Sequence, residues 1–165
     1  RVRTREGPRY RGYTGNVYNW MYLEVYGIPL DHADGTQWEG GNNSATYRNC
    51  HLRGLDGGFT IFFAADGSTG DLVFEDCLFT TDGGSTHHAL VLYADTGAGD
   101  ITLSLKNCYF QTAADWDFGD PFDINKTVGT NPVDVVLWDN VRYCTWNHTT
   151  KVLVPGSLIT QPSGT

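Results

Sequence analysis

The sequence predicts an all-β solenoid of about four coils that follows an extended basic arm. Two observations carry this prediction. Apolar residues alternate as in strands within a unit that recurs about every thirty residues, and outward-facing charges alternate in sign from one copy of the unit to the next. Helix formers are sparse, with one Met and 20 Gly in 165 residues. One coil cannot cover its own apolar face, so such a repeat implies stacked coils.

Four short segments carry the repeat: RNCHL (48–52), EDCLF (75–79), KNCYF (106–110) and DNVRY (139–143). Aligned on Cys50, Cys77, Cys108 and Val141, they are spaced by 27, 31 and 33 residues. Apolar residues stand five and three places before the aligned position and two places after it, which predicts two short strands per copy. These inward columns are Ala45, Leu72, Leu103 and Val136; Tyr47, Phe74, Leu105 and Trp138; and Leu52, Phe79, Phe110 and Tyr143.

The alternation changes phase between the two strands of each copy, at Asn49, Asp76, Asn107 and Asn140. Asn and Asp tolerate the left-handed conformation, so a sharp bend is expected there. The outward column just before the bend is Arg48, Glu75, Lys106 and Asp139. In parallel strands about 4.8 Å apart, each of these charges would lie beside an opposite one. The Cys residues are predicted to be buried free thiols that fill the inward corner.

A third strand per coil is predicted from FFAADG (62–67), VLYADTG (91–97) and DPFDIN (120–125), aligned on Asp66, Asp95 and Asn125. This alignment predicts two inward columns on the third strand. They are Phe63, Leu92 and Phe122, followed by Ala65, Ala94 and Ile124.

Over residues 40–155 the pattern resembles the right-handed parallel β-helix, the architecture of pectate lyases, phage tailspikes and many adhesins. The predicted organisation is a basic arm at 1–12, an aromatic-rich capping segment at 13–40, the β-helix at 41–154 and a tail at 155–165. A short solenoid exposes strand edges at both ends, so the tail is expected to cap or extend it. The resemblance to phage β-helix proteins implies a homotrimer.

The arm is the basic part of an acidic chain. Residues 1–11 hold five Arg and one Glu, a charge of +4, and the remaining six basic and eighteen acidic residues give −12, which sums to −8. Such an arm is typical of an interaction tail that binds an acidic protein surface, or of a segment folded back on its own body. The acidic body argues against nucleic acid as the partner. The candidate partner-binding residues are Arg1, Arg3, Arg5, Arg9 and Arg11.

The stretch ADWDFGDPFD (114–123) interleaves acids with aromatics, as in sugar-binding surfaces. Paired carboxylates can divide the acid and base roles of glycoside hydrolysis. The alternative is a connecting loop with anchoring aromatics and solvated acids, and this is the favoured interpretation for catalysis. No catalytic residue is assigned. The candidate carbohydrate contacts are Asp115, Trp116, Asp117, Asp120 and Asp123.

Calcium is the one metal that the repeat suggests. Asp66 over Asp95, with Asp71 over Asp100, would bring like charges together, and oxygen ligands suit Ca²⁺. Gly-rich turn chemistry explains the same residues without a metal, and no cofactor is predicted. His87 and His88 are interpreted as a strand edge, since no Ser/His/Asp pattern accompanies them.

These features favour a non-enzymatic virion structural protein, a capsid decoration (cement) or spike protein at the particle surface. Its expected partner is the major capsid protein or another virion protein, and no stretch is apolar enough to span a membrane. The alternative is a carbohydrate-active β-helix, either a tailspike-type depolymerase fragment or a polysaccharide lyase. A bacterial surface adhesin is the third interpretation. The step from fold to virus is an analogy, because this fold hosts many functions.

Overall fold

In the computed structural model of the chain, the described residues are 2–4, 8–26, 33–55, 58–82, 86–92, 101–124 and 133–162. For residues 2–4, 58–59 and 65–66 the description covers the backbone alone. A 3-10 helix spans Ala113–Asp115. The strands in chain order are β1 Val2–Thr4, β2 Arg9–Tyr10, β3 Asn16–Asn19, β4 Tyr22–Tyr26, β5 Ala33–Asp34, β6 Gln37–Asn42, β7 Ala45–Arg48, β8 His51–Leu55, β9 Gly58–Glu75, β10 Leu78–Thr81, β11 His88–Leu92, β12 Ile101–Lys106, β13 Tyr109–Gln111, β14 Phe122–Ile124, β15 Asp134–Asp139, β16 Arg142–Asn147 and β17 Val152–Leu158.

The predicted all-β solenoid is confirmed, with about four coils stacked in parallel. A seven-stranded first sheet has the order β1-β4-β8-β10-β13-β16-β17. The remaining strands form a ten-stranded sheet in two parts that share the long strand β9. In the second sheet the start of β9 pairs with β5, β6 and β11, and in the third sheet its end pairs with β7 and β12. Only the β16–β17 pair is antiparallel among the described strands.

The predicted register of the first and third sheets is confirmed, except at one residue of β15. The strand that follows each aligned Cys pairs with its counterpart, so that Leu78 lies beside both His51 and Tyr109. The four residues of the Cys column are 0–2% exposed. The predicted charge column is also in register: Glu75 lies beside Arg48 and Lys106, and Lys106 lies beside Asp139. Arg48 Nε is 2.5 Å from Glu75 Oε2.

The predicted bends are also present. Asn49, Asp76, Asn107 and Asn140 have φ of 51–53°, the left-handed region that Asn and Asp tolerate. Their side chains form a ladder between coils: Asn107 Nδ2 donates to Asp76 Oδ1, and Asn140 Nδ2 donates to Asn107 Oδ1, both at 3.0 Å. The bend column therefore joins coils as well as turning the chain.

Stacked aromatic rings fill the core. Tyr47 lies between Tyr18 and Phe74 with ring centroids 4.8 and 4.9 Å away, and Phe79 stacks on Phe110 at 4.4 Å. This packing is the expected result of placing the same inward position of each coil above that of the next. The predicted free thiols are present, since all four Cys residues are unbridged and buried.

One predicted inward residue is wrong. Val136 was expected over Leu103, but Val135 is the lateral partner of Leu103 and Val136 is 56% exposed. A register shift in β15 moves the apolar column by one residue, because a bulge adds one residue to a strand and turns it to the other face.

The predicted register of the second sheet is also wrong. The inward partners are Phe62, Leu90 and Phe122, followed by Ala64, Leu92 and Ile124. Phe63 is half-buried and lies beside Val91 instead. The prediction aligned turn residues, whereas the register follows the large side chains that must be buried.

The parallel stack begins before residue 41. Strands β3 and β4 pair with β7 and β8, so residues 16–26 belong to an earlier coil. Trp20 occupies the left-handed bend with φ 57°, and Met21 stands where later coils have Cys. The repeat is hard to see here because neither a bend Asn nor a Cys marks it.

The C-terminal tail covers the other end. β17 pairs antiparallel with β16, and Ile159 packs against the core beside Trp138, whose Nε1 donates to Ile159 O at 2.8 Å. Among the described residues, no helix has the length and apolar character needed to cross a bilayer.

Candidate functional site

The acidic and aromatic stretch 114–123 is a loop that leaves the first sheet after β13 and enters the second sheet at β14. It starts with the 3-10 helix, where Thr112 Oγ1 donates to Asp115 Oδ2 at 2.5 Å. Asp120 Oδ1 accepts the Phe122 backbone N–H at 2.9 Å, an Asx turn that fixes the entry into β14. Two of the predicted contact residues therefore shape the loop.

Trp116 does not fit the prediction of a sugar contact. Its side chain is 2% exposed and its Nε1 donates to Gln111 O at 3.0 Å, so its ring anchors the loop to the core. Phe118, two residues later, is 62% exposed and takes the outward position instead. The 3-10 helix directs the ring of Trp116, the larger of the two, towards the core, where its burial is most favourable.

The structure brings the His pair to this loop, which the sequence interpretation did not. His87 Nε2 lies 3.0 Å from Asp117 Oδ2, with 28% and 40% of the two side chains exposed. His88 Nδ1 lies 2.8 Å from Asp120 O and must carry a hydrogen, since a carbonyl only accepts. The ring of Phe118 lies 4.5 Å from that of His87 and 5.2 Å from that of His88.

We define the loop site as His87, His88, Asp117, Phe118 and Asp120. It combines an exposed aromatic face with a partly accessible His–carboxylate pair. Such a pair can hold a hydroxyl group, or can orient an imidazole for proton transfer. Asp123 lies in β14 beside Val91 and is half-buried. In the sequence, the signal for this site was Phe118 between Asp117 and Asp120. No sequence feature near this loop predicts its contact with residues 87–88.

The candidate calcium ligands are only partly described. Asp95 and Asp100 lie outside the described residues, as does the side chain of Asp66. Asp71 does not pair with Asp100 as expected: its lateral partner is Thr102, whose Oγ1 donates to Asp71 Oδ1 at 2.7 Å. Within the described parts of the chain, no group of three or more His, Cys, Asp or Glu side chains is placed to hold a metal ion. Calcium binding stays a prediction.

The basic arm lies against its own chain wherever it is described. Arg9 Nη1 is 3.1 Å from Glu39 Oε1, and Arg11 Nε donates to Glu39 O at 3.0 Å. Arg3 has Glu24 as its lateral partner in the first sheet. Arg1 and Arg5 lie outside the described residues. Three of the five candidate arginines are thus engaged with, or in register with, an acidic residue of the same body.

A second polar cluster lies on the outer face of the first sheet. Glu24, only 3% exposed, accepts from Tyr22 OH at 2.8 Å and lies 3.4 Å from Arg53 Nη1. His51 Nε2 is 2.8 Å from Thr80 Oγ1. Burial, together with the charge of Arg53, lowers the pKa of His51 to about 4. No sequence pattern singles out this cluster, because its residues come from different coils.

Comparison with known proteins adds no relative: no family model, no curated protein and no solved structure matches the chain. The architecture alone defines the class, a parallel β-solenoid of about four coils that is consistent with a β-helix.

Proposed function

We propose that the chain is a non-enzymatic structural protein of a virus particle, a capsid decoration or spike protein at the particle surface. The observation that carries this proposal is the placement of exposed apolar side chains at the two ends of the stack. Nine large apolar residues are exposed among the described residues, and one of them is Phe118. The other eight lie on the terminal coils: Tyr13, Val17 and Trp20 at one end, and Val136, Leu137, Val152, Val154 and Leu158 at the other.

Open strand edges accompany these side chains. β3 and β15 are the two edge strands of the third sheet, and an edge strand can add a further strand through its backbone. Apolar residues beside such an edge favour coverage by another protein. This arrangement suits axial contact with a second copy or a capsid protein better than side-by-side bundling in a homotrimer.

The arm supports the proposal less directly. Arg9 keeps 53% of its side chain exposed while it pairs with Glu39, so it can still contribute to an acidic partner surface. We place the main contact at the stack ends and treat the arm as a secondary one.

The first experiment is mass spectrometry of purified particles from the source of the chain. Stoichiometric presence of the protein supports the proposal, and its absence from intact particles contradicts it. The second is light scattering of the double variant Val136→Lys/Leu137→Lys against Ser104→Lys. Ser104 is the lateral partner of Leu137 in mid-stack, so its replacement adds a lysine to the same face without changing the end. The double variant should lose self-association or particle binding, and the control should retain it.

A second candidate function is carbohydrate binding or cleavage at the loop site. The specific observation is that His87, Asp117 and the exposed ring of Phe118 are brought together. Aromatic faces beside hydroxyl-binding groups are the usual elements of a sugar site. Phe118→Ala should abolish binding to a glycan array if this function holds. Release of oligosaccharides that is lost in Asp117→Asn or Asp120→Asn would indicate a depolymerase or lyase and overturn the first proposal.

A further inference from the structure

The turn between β16 and β17 folds back over the outer face of the first sheet. We call residues 145–151 the hairpin tip. The ring of Trp146 lies 5.1 Å from that of His51 at an angle of 75°, and 6.4 Å from that of His148. His148 Nε2 lies 3.1 Å from Thr81 O, a contact across 67 residues of sequence. The last coil thus reaches strands β8 and β10.

Three buried polar atoms at this contact have no hydrogen-bond partner: Arg53 Nε, Trp146 Nε1 and His148 Nδ1. Arg53 has Thr80 as its lateral partner and holds Glu24 through Nη1, while its Nε remains unused. A buried donor or acceptor without a partner is costly, and proteins contain few of them. Three such atoms on neighbouring residues indicate that something else completes them.

The chemistry of these atoms restricts what can bind. Arg53 Nε and Trp146 Nε1 only donate. Because Thr81 O only accepts, His148 Nε2 carries the hydrogen and Nδ1 presents a lone pair. Burial and the charge of Arg53 lower the pKa of His148, which keeps this imidazole neutral. The site therefore offers two donors and one acceptor.

A simple anion would match the donors but would face the His148 lone pair and the nearby Glu24 carboxylate. A cation would face Arg53. A neutral molecule with adjacent hydroxyl groups satisfies all three atoms, since each hydroxyl both donates and accepts. The flat rings of Trp146 and His51 add apolar surface of the kind that packs on a sugar ring.

We propose that the contact between the hairpin tip and the first sheet binds a neutral sugar unit through Arg53, Trp146 and His148. This site is separate from the loop site, and it rests on neither of the proposed functions. A virion protein and a glycan-active protein could both carry it.

Binding is tested by ¹H–¹⁵N NMR of the full chain, following the indole N–H signals. Trp146→Phe assigns the Trp146 signal, because it removes that nitrogen and keeps an aromatic ring. Glucose, galactose, mannose and N-acetylglucosamine are titrated, with sodium acetate and sodium phosphate as anionic comparisons. At least one sugar should shift the Trp146 signal saturably, and Arg53→Lys, which keeps the charge near Glu24, should weaken binding about tenfold or more. No shift with any sugar, or a shift with the anions alone, overturns the proposal.

Thermal unfolding without sugar separates a ligand from ordered water. Removing a donor that lacks a partner should not lower Tm, so Trp146→Phe should be neutral or stabilising. Trp138→Phe is the matched control, since its Nε1 donates to Ile159 O and its loss should lower Tm by about 2–4 °C. If Trp146→Phe lowers Tm as much as the control does, a resident water already completes the indole N–H and the sugar proposal fails.

Discussion

Each Cys at the inward corner of a coil is a hydrogen-bond donor as well as a filler. Cys77 Sγ lies 3.4 Å from Tyr47 O and 3.3 Å from Glu75 O, so it links two coils where the bend leaves carbonyls. The thiol of Cys108 and burial raise the pKa of Cys77 to about 12, and burial raises that of Cys144 to about 12. These thiols therefore stay protonated and unreactive at neutral pH.

The largest single-residue effect is expected at Phe110. Its ring is fully buried between Phe79, at 4.4 Å and nearly parallel, and Phe122, at 4.5 Å. Phe110→Ala should lower the free energy of unfolding by about 3–5 kcal/mol, because it leaves a cavity between coils. Phe110→Leu, which keeps most of the volume, should cost about 1 kcal/mol. Urea unfolding measures both, and equal costs would contradict the packing described.

His51 should make stability depend on pH. Its pKa is about 4 in the folded chain and 6.5 in the unfolded chain, so the unfolded chain binds more protons between these values. The contribution is complete above about pH 6.5 and is lost as the pH falls towards 4. It amounts to about 2–3 kcal/mol at most. Urea unfolding from pH 7 to 4.5 should show a shallower loss for His51→Gln than for the wild type. Parallel pH profiles would rule out His51 as the group responsible.

At the scale of the element, the bend column and the charge column are the devices that hold adjacent coils in register. Both repeat at the same position of each coil. Hydrogen bonds join Asp76 to Asn107 and Asn107 to Asn140, and Arg48 pairs with Glu75. Side chains at lateral positions of parallel strands interact in this way whenever the coils are in register. The two columns therefore oppose slippage of one coil against the next.

Asn107 allows the two contributions of the bend to be separated. Asn107→Gly keeps the left-handed conformation but removes the ladder contacts to Asp76 and Asn140, and should cost about 1 kcal/mol. Asn107→Ala also removes the residue type that tolerates this conformation, and alanine there should cost about 1 kcal/mol or more beyond the glycine variant. The difference between the two unfolding free energies gives the cost of the bend. An alanine variant as stable as the glycine variant would show that the bend is not strained.

Charge reversal tests the other column. Lys106→Glu places an acid between Glu75 and Asp139, its two lateral partners. The expected cost is on the order of 1 kcal/mol in low salt and less in high salt, because exposed charges are screened. Unfolding at two ionic strengths measures both values. A salt-independent cost would indicate lost packing instead of repulsion.

At the scale of the whole molecule, the two ends of the stack are closed differently. The tail runs antiparallel along the last coil and places Ile159 against the core, whereas the arm adds parallel strands to the first. The third sheet remains open at β3 and β15. A further strand can therefore be added to the third sheet at either end of the stack.

Deletion of residues 1–11 should destabilise the body. Arg9 and Tyr10 pair with Gln37 and Trp38, and Pro8 O accepts the Gln37 N–H at 3.1 Å. Loss of these contacts uncovers the first coil, so Tm should fall by several degrees, about 3–8 °C. The double variant Arg9→Gln/Arg11→Gln keeps the backbone pairing and should leave Tm nearly unchanged. A deletion with unchanged Tm would instead indicate that the arm is an interaction tail that does not stabilise the body.

The sequence by itself determined the solenoid class, the bends, the Cys and charge columns and the register of most of the first and third sheets. These features recur at one position of every coil, so they appear in the sequence as a repeat. Phe110 and Asn107 could both be placed in this way. The coil around Trp20 was missed only because its bend and corner residues differ from those of the other copies.

Only the tertiary structure decided the bulge at Val136, the pairing of Phe62 with Leu90 and the burial of Trp116. The same holds for the contacts of His87 with Asp117 and of Trp146 with His51. Each depends on the path of a connection that occurs once, such as the loop after β13 or the hairpin tip. A non-repeating connection leaves no period in the sequence. Its contacts are set by loop length and by which large side chains must be buried, and these become known only when the coils are packed.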